Sequence, residues 1–437
     1  MQVPTREVDE VVYPSFVAPE EWFDHSFEPL KILAFLLYCF WVYQTCIALR
    51  GFQSPRPLPK AKKFRKFAVL IPAHNEEKVL GPLLESLRAQ EYPKELFDIY
   101  VACDACTDKT KDIALSQGAF VLERNDPQRP GKTYNVGWAL TQIPLASYDA
   151  IALFDADNLV HPEFLARMND YLEAHEDAEV VQGYLETKNP DHSWLTRMYA
   201  LAYWYANRFW QLARANWGLS ATLGGTGLVI RTSCITRLGW NLKSLTEDLE
   251  FSVQVVLEGG KVHWNEWAIT YDEKPLRYAS SHRQRTRWMQ GHCFVLWRYG
   301  WKLLRKFLTS GHLQYLDYFL YLLTPLSIVL TTVLVALETV ERGTHGNVPF
   351  ILHLYLWIPV AFIQSAYQVV LGPSLKEGRF TLRYLPYFAL YTVYGLSWIP
   401  IVFLGLFLSW NQKRWVKTEH SCSISIGELL EESSTSR

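Results

Sequence analysis

The chain has 437 residues, a formal net charge of −1 and a hydrophobic fraction of 49%. That length exceeds the usual single domain, so one catalytic domain with further elements is expected. Seven cysteines, an odd number with Cys39 and Cys46 inside an apolar run, argue against a disulfide framework, and the 17 Trp and 24 Tyr are many for a soluble protein.

Residues 1–30 form an acidic leader, with seven Asp/Glu against Arg6 alone. Residues 31–50 read as a transmembrane helix, because Ile32 to Leu49 is uncharged and close to the ~20 residues that cross a bilayer. The run starts too late, after too acidic a leader, for a cleaved signal peptide. Arg50 to Lys66 carries seven Lys/Arg and no acid, and residues 51–66 read as a basic, Pro-punctuated linker. The positive-inside rule places the leader outside and the chain from Arg50 onward in the cytoplasm. The linker would touch anionic lipid head groups.

Residues 67–290 carry the pattern of an α/β domain. Phe67–Ile71 is a short apolar run suited to a buried parallel strand, closed by Pro72. Further strands are expected at Phe97–Ala102, Ala119–Leu122 and Ala150–Phe154, with helices at Val79–Leu87 and Lys111–Ser116 between them. Such alternation implies a mainly parallel sheet with helices on both faces. Ligands bind such sheets beyond the carboxyl ends of the strands. Asn75, Glu76 and Glu77 follow the first strand, Asp104 and Asp108 the second, and Asp155 and Asp157 the fourth, all at one edge. The sequence has no GxGxxG after the first strand and no GxxxxGK[ST], which disfavours dinucleotide and P-loop chemistry. Cys103-x-x-Cys106 has no second CxxC, which disfavours a zinc site.

Asp155-Ala156-Asp157 puts two carboxylates on one side of a tight turn, an arrangement suited to a hard divalent ion such as Mg²⁺ or Mn²⁺. Lys132, after Gly131, could present a point charge to a diphosphate. Downstream, the acidic pair Glu247 and Asp248 is followed about 40 residues later by Gln284, Arg285, Arg287 and Trp288. A base, a set of phosphate-holding guanidinium groups and a flat ring for a sugar make a plausible reaction centre.

These residues together resemble the family-2 glycosyltransferases, in particular the membrane-embedded cellulose, chitin, hyaluronan and poly-N-acetylglucosamine synthases. The motifs are PAHNEE (72–77), CDACTD (103–108), DAD (155–157), TED (246–248) and QRTRW (284–288). The resemblance implies a nucleotide-sugar-binding fold of GT-A type, inserted between transmembrane helices. It implies that Asp104 contacts the uridine of a UDP-sugar and that the backbone from Pro72 to Glu76 lines the same pocket. Asp155 and Asp157 would sit by the diphosphate, Asp157 ligating the metal. Asp248 would be the general base, with Glu247 beside it. Gln284, Arg285 and Arg287 would hold the leaving diphosphate, and Trp288 would stack on the acceptor sugar. A single displacement inverts the anomeric centre and needs no second carboxylate as nucleophile.

Residues 291–312 mix aromatics, leucines and basic residues, as expected of an amphipathic helix on the cytoplasmic leaflet. Residues 313–410 contain three apolar runs, Tyr318–Leu337, Phe350–Leu371 and Leu385–Trp410, with Trp and Tyr at their ends. The last holds Pro386, Gly395 and Pro400, so it lies at the interface or re-enters rather than crossing. The tail, 411–437, carries KRWVKTEHS (413–421), similar to the gating-loop motif of cellulose synthases with His420 in place of the usual lysine. The expected protein is a multi-pass membrane enzyme with a cytoplasmic catalytic domain. It would extend a β-linked polysaccharide from a UDP-sugar or, alternatively, glycosylate a membrane lipid. Membrane lipids are expected partners and nucleic acid is not; accessory secretion subunits are left open. An idle nucleotide-sugar sensor would have lost Asp157 or Asp248, and both are present.

Overall fold

The computed structural model describes residues 28–345, 354–412 and 422–435. Nearly all of the acidic leader and the gating-loop motif at 413–421 lie outside the described residues. The chain enters through α1 (Glu28–Ala48) and then alternates through β1 (Phe67–Ala73), α2 (Leu80–Arg88), β2 (Phe97–Asp104), α3 (Thr110–Ser116), β3 (Phe120–Arg124), α4 (Lys132–Gln142) and β4 (Ala150–Leu153). It continues through β5 (Leu159–Val160), α5 (Phe164–Ala174), β6 (Val180–Thr187), α6 (Trp194–Tyr205), β7 (Leu228–Arg231), α7 (Glu247–Leu257) and β8 (Val262–Asp272). A long helix, α8 (Tyr278–Ser310), leads to α9 (Leu313–Leu322), α10 (Thr324–His345), α11 (Leu354–Ala366), α12 (Phe388–Leu396), α13 (Trp398–Leu408) and α14 (Ile426–Thr435).

The eight strands form one sheet in the order β3-β2-β1-β4-β7-β6-β8-β5. β3, β2, β1 and β4 run parallel, as do β6 and β8, while β4–β7, β6–β7 and β5–β8 pair antiparallel. The result is a mixed, half-parallel α/β sheet domain whose first four strands follow the expected parallel order. All seven residues of β1 are buried, and their alternation feeds two cores. Phe67, Val69 and Ile71 pack with Leu80, Leu83, Leu84 and Leu87 of α2 on one face. Ala68 and Leu70 pack with Val136, Ala139 and Leu140 of α4 on the other. That two-sided burial is why the strand reads as a continuous apolar run rather than an alternating one.

The second half of the domain joins the apolar helices. Leu249, Val253 and Val256 of α7 pack on Val295, Leu296, Tyr299 and Leu303 of α8 and on Tyr315 and Tyr318 of α9. Close approach of α7 and α8 depends on Gly291, because a Cβ there would stand 2.9 Å from the Thr246 backbone nitrogen. Below them, the buried pair Arg214–Asp317 (3.1 Å) also binds Gln44 and Tyr43 of α1, tying domain and helices together.

Three expectations change. QRTRW and the amphipathic run are not separate segments; both lie on the single helix α8. The run Tyr318–Leu337 is broken between α9 and α10, which meet at 56°, because Pro325 cannot donate a helical hydrogen bond and opens a new helix. Leu385–Trp410, expected to lie at the interface or re-enter, instead contains a helical stretch, Leu385–Leu408, long and apolar enough to cross, with a turn at Ser397 between α12 and α13. Among the described residues, two helical stretches are long and apolar enough to cross a membrane, Pro29–Phe52 and Leu385–Leu408, or three if α9 and α10 count as one span.

Candidate active site

The carboxyl ends of β1, β2 and β4 open on a cavity of about 570 Å³ that α7, α8 and the end of β8 close from the other side. Its volume lies in the range of ligand clefts. Of the residues expected at a site, Pro72, Glu76, Asp104, Lys132, Asp155, Asp157, Glu247, Asp248, Gln284, Arg287 and Trp288 all line it. Asn75 and Arg285 do not.

Asn75 sits in the left-handed region (φ 57°), which asparagine tolerates. Its Oδ1 accepts from the Thr107 N–H at 2.7 Å, so it staples two loops together instead of facing the cavity. Arg285 is wholly buried, and its Nη1 donates to Ser397 Oγ at 2.9 Å. Its guanidinium lies 4.9 Å and 5.0 Å from the ring centres of Tyr394 and Trp398. The reason is helical period: successive residues turn by about 100°, so Gln284, Arg287 and Trp288 share one face while Arg285 falls on its flank. Arg285 therefore joins α8 to α12 and α13, and the expectation that it holds a diphosphate is corrected.

Asp104 ends β2 directly opposite Arg124 in β3, by the register of that parallel pair. Arg124 Nη1 meets Asp104 Oδ1 at 2.7 Å with both side chains buried, and His74 Nδ1 stands 2.6 Å from the Asp104 carbonyl oxygen. The acidic turn is braced as firmly. The Asp155 N–H donates to Thr226 Oγ1 (3.0 Å) and Asn158 Oδ1 (3.1 Å). The Asn158 side-chain amide reaches Asp157 Oδ1 and Asp272 Oδ1, each at 3.4 Å. Asp272 is in turn ion-paired with Lys274, whose ammonium lies 3.5 Å from the centre of the Tyr203 ring.

Lys132, the first residue of α4, crosses the cavity floor. Its Nζ meets Asp155 Oδ1 at 2.6 Å and Glu247 Oε1 at 3.4 Å, and donates to the Gly225 carbonyl at 2.7 Å. Burial opposes its charge, but Asp155 and Glu247 outweigh burial and hold the ammonium above its usual range. Burial pushes Asp155 up, against the attraction of Lys132. Gly225 has φ 84°, a conformation that favours glycine, and a Cβ there would come within 3.2 Å of Asp248 Oδ2 and crowd that carboxylate. Asp248 lies in the first turn of α7, and its Oδ1 accepts the Leu249 N–H at 2.8 Å. Burial first, then repulsion from Glu247, pushes its carboxyl up to about 7. The helix terminus favours a carboxylate there, but burial and the like charge prevail.

Asp155 and Asp157, with Asp272 nearby, offer hard oxygen donors. Among the described residues no group of three His, Cys, Asp or Glu side chains forms a closed metal cage. An open carboxylate pair of this kind fits Mg²⁺ or Mn²⁺ that completes its shell with phosphate and water. Sequence reasoning missed Arg124, Tyr203, Gly225, Thr226 and Asp272. Their signals are long-range: only the β2–β3 register reveals Arg124, and only the sheet order brings Asp272 beside the acidic turn.

The model of the family described as "Glycosyltransferase like family 2" matches residues 65–291, more than half of the 437. The chain belongs to that family. It is 29% identical over 416 residues to a probable glycosyltransferase, YdaM, of Bacillus subtilis (strain 168), covering 88% of this chain and 96% of that one. A beta-monoglucosyldiacylglycerol synthase of Nostoc sp. is 26% identical over 231 residues, 51% of this chain and 48% of its own length. A probable glucomannan 4-beta-mannosyltransferase of Arabidopsis thaliana is 26% identical over 233 residues, 51% of this chain and 42% of its own length. The chain thus spans about half the length of the last two relatives. Among solved structures, the mannosyltransferase PcManGT from Pyrobaculum calidifontis, in complex with GDP-Man and Mn²⁺, superposes with a TM-score of 0.58 at 15% identity. That match covers 88% of this chain and all of the other, so the two share the fold. The protein is a nucleotide-sugar-dependent family-2 glycosyltransferase.

Proposed function

We propose that this glycosyltransferase moves a sugar from a UDP-sugar, of the UDP-glucose or UDP-N-acetylglucosamine class, in one inverting displacement at a membrane surface. The observation that carries this reading is Asp248: a half-buried carboxylate, pushed up by desolvation, sharing one cavity with the acidic turn and with Gln284, Arg287 and Trp288. Asp248 takes the acceptor hydroxyl proton as its oxygen attacks the anomeric carbon, and a group with a pKa near the working pH suits that task. Arg287 and Gln284 hold the departing diphosphate. Trp288 supports the acceptor sugar. Asp157, with Asp155 beside it, would hold Mg²⁺ or Mn²⁺, which neutralises charge on the leaving diphosphate when bound. An α-linked donor then gives a β-linkage.

Uridine as the base is supported by Asp104 and Arg124. With one carboxylate oxygen engaged by Arg124, the pair offers an acceptor beside a donor. Uracil presents a complementary N–H and carbonyl edge at N3–H and O4, an edge that guanine also carries at N1–H and O6, so the pair fits uridine without selecting it over guanosine.

The QRTRW motif favours a growing β-linked polysaccharide as acceptor, in the manner of cellulose, chitin and hyaluronan synthases. The Nostoc relative favours a second reading, in which a membrane lipid is glycosylated once or a few times. Membranes containing the protein should be incubated with a panel of radiolabelled UDP-sugars and the product sized. A long polymer supports the first reading and a chloroform-soluble glycolipid the second. No incorporation from any UDP-sugar would sink both.

The apolar helices anchor this chemistry to the bilayer, with a multi-pass topology and the catalytic domain in the cytoplasm. Leu429 of α14 packs on Leu159 and Tyr271 of the catalytic domain, which supports an even number of crossings between α8 and the tail. In intact cells, a cysteine introduced at residues 1–25 should be labelled by an impermeant reagent and one at 55–65 or 430–437 should not. The reverse pattern would overturn this topology.

A further inference from the structure

The sheet ends on β5, a two-residue edge strand that immediately follows the acidic turn. An open edge leaves backbone groups unpaired and ready for another chain. Here the edge is covered by residues from the far end of the sequence. Leu429 is buried against Leu159 of β5 and Tyr271 of β8, with Ile424, Ile426 and Leu430 packed around them. Leu159 and Tyr271 are direct partners in the β5–β8 register. Tyr271 is followed by Asp272 and Glu273, which both line the cavity.

A polar contact completes the attachment. The Cys422 N–H donates to both carboxylate oxygens of Glu273, at 3.1 Å each, and both residues are buried. The first turn of α14 is fixed reciprocally: Glu428 Oε2 accepts from the Ser425 N–H at 2.8 Å, and Ser425 Oγ accepts from the Glu428 N–H at 3.3 Å. A polar group at 6% exposure is costly to bury without hydrogen-bond partners, and the Cys422 amide supplies one.

We infer that residues 422–435 are a positioning element of the donor site, holding the Asp272–Glu273 wall over the acidic turn; this rests on the function proposed above. Without the segment, Glu273 loses the Cys422 donor and Leu159 and Tyr271 face water. The wall that carries Asp272 can then shift against Asp155 and Asp157. The family-2 domain alone, residues 65–291, is on this account an incomplete site.

The test compares the full chain with one ended after Ser421, both in lipid nanodiscs. Hydrogen exchange should quicken at 155–160 and 268–274 in the shortened chain, but not in β1 or β2. Affinity for UDP with Mn²⁺, read by calorimetry, should weaken about tenfold, the scale of one lost hydrogen bond to a charged group. An added peptide of residues 422–437 should restore both. A role confined to stability would lower the binding-competent fraction and leave the affinity unchanged. If the shortened chain does not fold, Leu429→Asp in the full chain gives the same comparison. Unchanged exchange at 155–160 overturns the docking, and altered exchange with unaltered UDP affinity overturns the positioning role. Neither readout needs an acceptor, so a full chain that transfers no sugar counts against the proposed function alone.

Discussion

One wall of the cavity is built from strand ends and the other from helix faces. On the strand wall, β1, β2 and β4 run parallel and deliver Pro72, Asp104, Asp155 and Asp157 to one edge. Arg124 of the adjacent strand fixes Asp104, and Lys132 of α4 meets Asp155. On the helix wall, Asp248, Gln284, Arg287 and Trp288 come from α7 and α8, and their positions depend on packing against the apolar helices. The first wall is braced from within the sheet domain, by Thr226, Lys132 and Asp272. The second is set by contacts between segments more than a hundred residues apart, such as Arg285 with Ser397. Perturbing the strand wall should therefore act on transfer through the nucleotide and metal, whereas perturbing the helix wall should act through the acceptor proton, the leaving group and the domain–membrane seam.

The largest expected effect is on the strand wall. Chelation with EDTA should abolish sugar transfer, and Mg²⁺ or Mn²⁺ should restore it. Asp157→Asn should do the same without unfolding the protein, because the Asn158 amide and the Lys188 ammonium (3.1 Å from the Asp157 carbonyl) still hold the turn. Full transfer in excess chelator would remove the metal from the mechanism.

Next comes the helix wall. Asp248→Asn keeps size but cannot accept the proton, so transfer should fall by ~10²–10⁴, the usual worth of base catalysis. UDP affinity should survive, since Asp104 and Asp157 stand on the other wall. Near-normal transfer by this variant would remove Asp248 from the mechanism.

The two arginines of QRTRW sharpen the contrast. Arg287→Ala should weaken UDP binding and slow transfer about tenfold, as expected for one charge-assisted contact. Arg285→Ala should leave UDP affinity unchanged. It should lower stability by ~2–4 kcal/mol, through lost cation–π contacts and packing at the seam with α12 and α13. Weakened UDP binding in the Arg285 variant, with stability intact, would return it to the cavity.

The same contrast explains what could be read from the sequence. β1 to β4 were legible because each is a continuous apolar run ending in a polar turn, a signal carried by neighbouring residues. β5 to β8 were not, since β4 pairs with β7 through Ala150 and Arg231, 81 residues apart. The acidic turn and TED stood out as motifs. Asp272 carries no local mark, and only the sheet order brings it to the cavity, where it meets Asn158 and Lys274. Arg285 was misplaced because QRTRW was read as a string, whereas on a helix its letters point to different neighbours.

The smallest effect concerns stability and follows from the raised carboxyl of Asp248. Its ordinary value is 3.8, and burial with the Glu247 charge lifts it to about 7 in the folded protein. Between these values the folded state holds a proton that the unfolded state has released, so raising the pH through this window removes stability. The loss is complete once the pH passes the folded value. Asp248→Asn has no proton to lose, so its unfolding temperature should exceed that of the unmodified protein at pH 8 and match it near pH 4. As the proposed base, Asp248 thus costs the fold stability over the pH range in which it would be most active, a common trade at reaction centres. Transfer by the unmodified enzyme should rise through about pH 7 as Asp248 ionises, over the same range in which its stability falls. Thermal unfolding of both proteins from pH 4 to pH 8 checks the argument. A constant difference between them across that range would show that Asp248 does not titrate there, and the base would then need another means of activation.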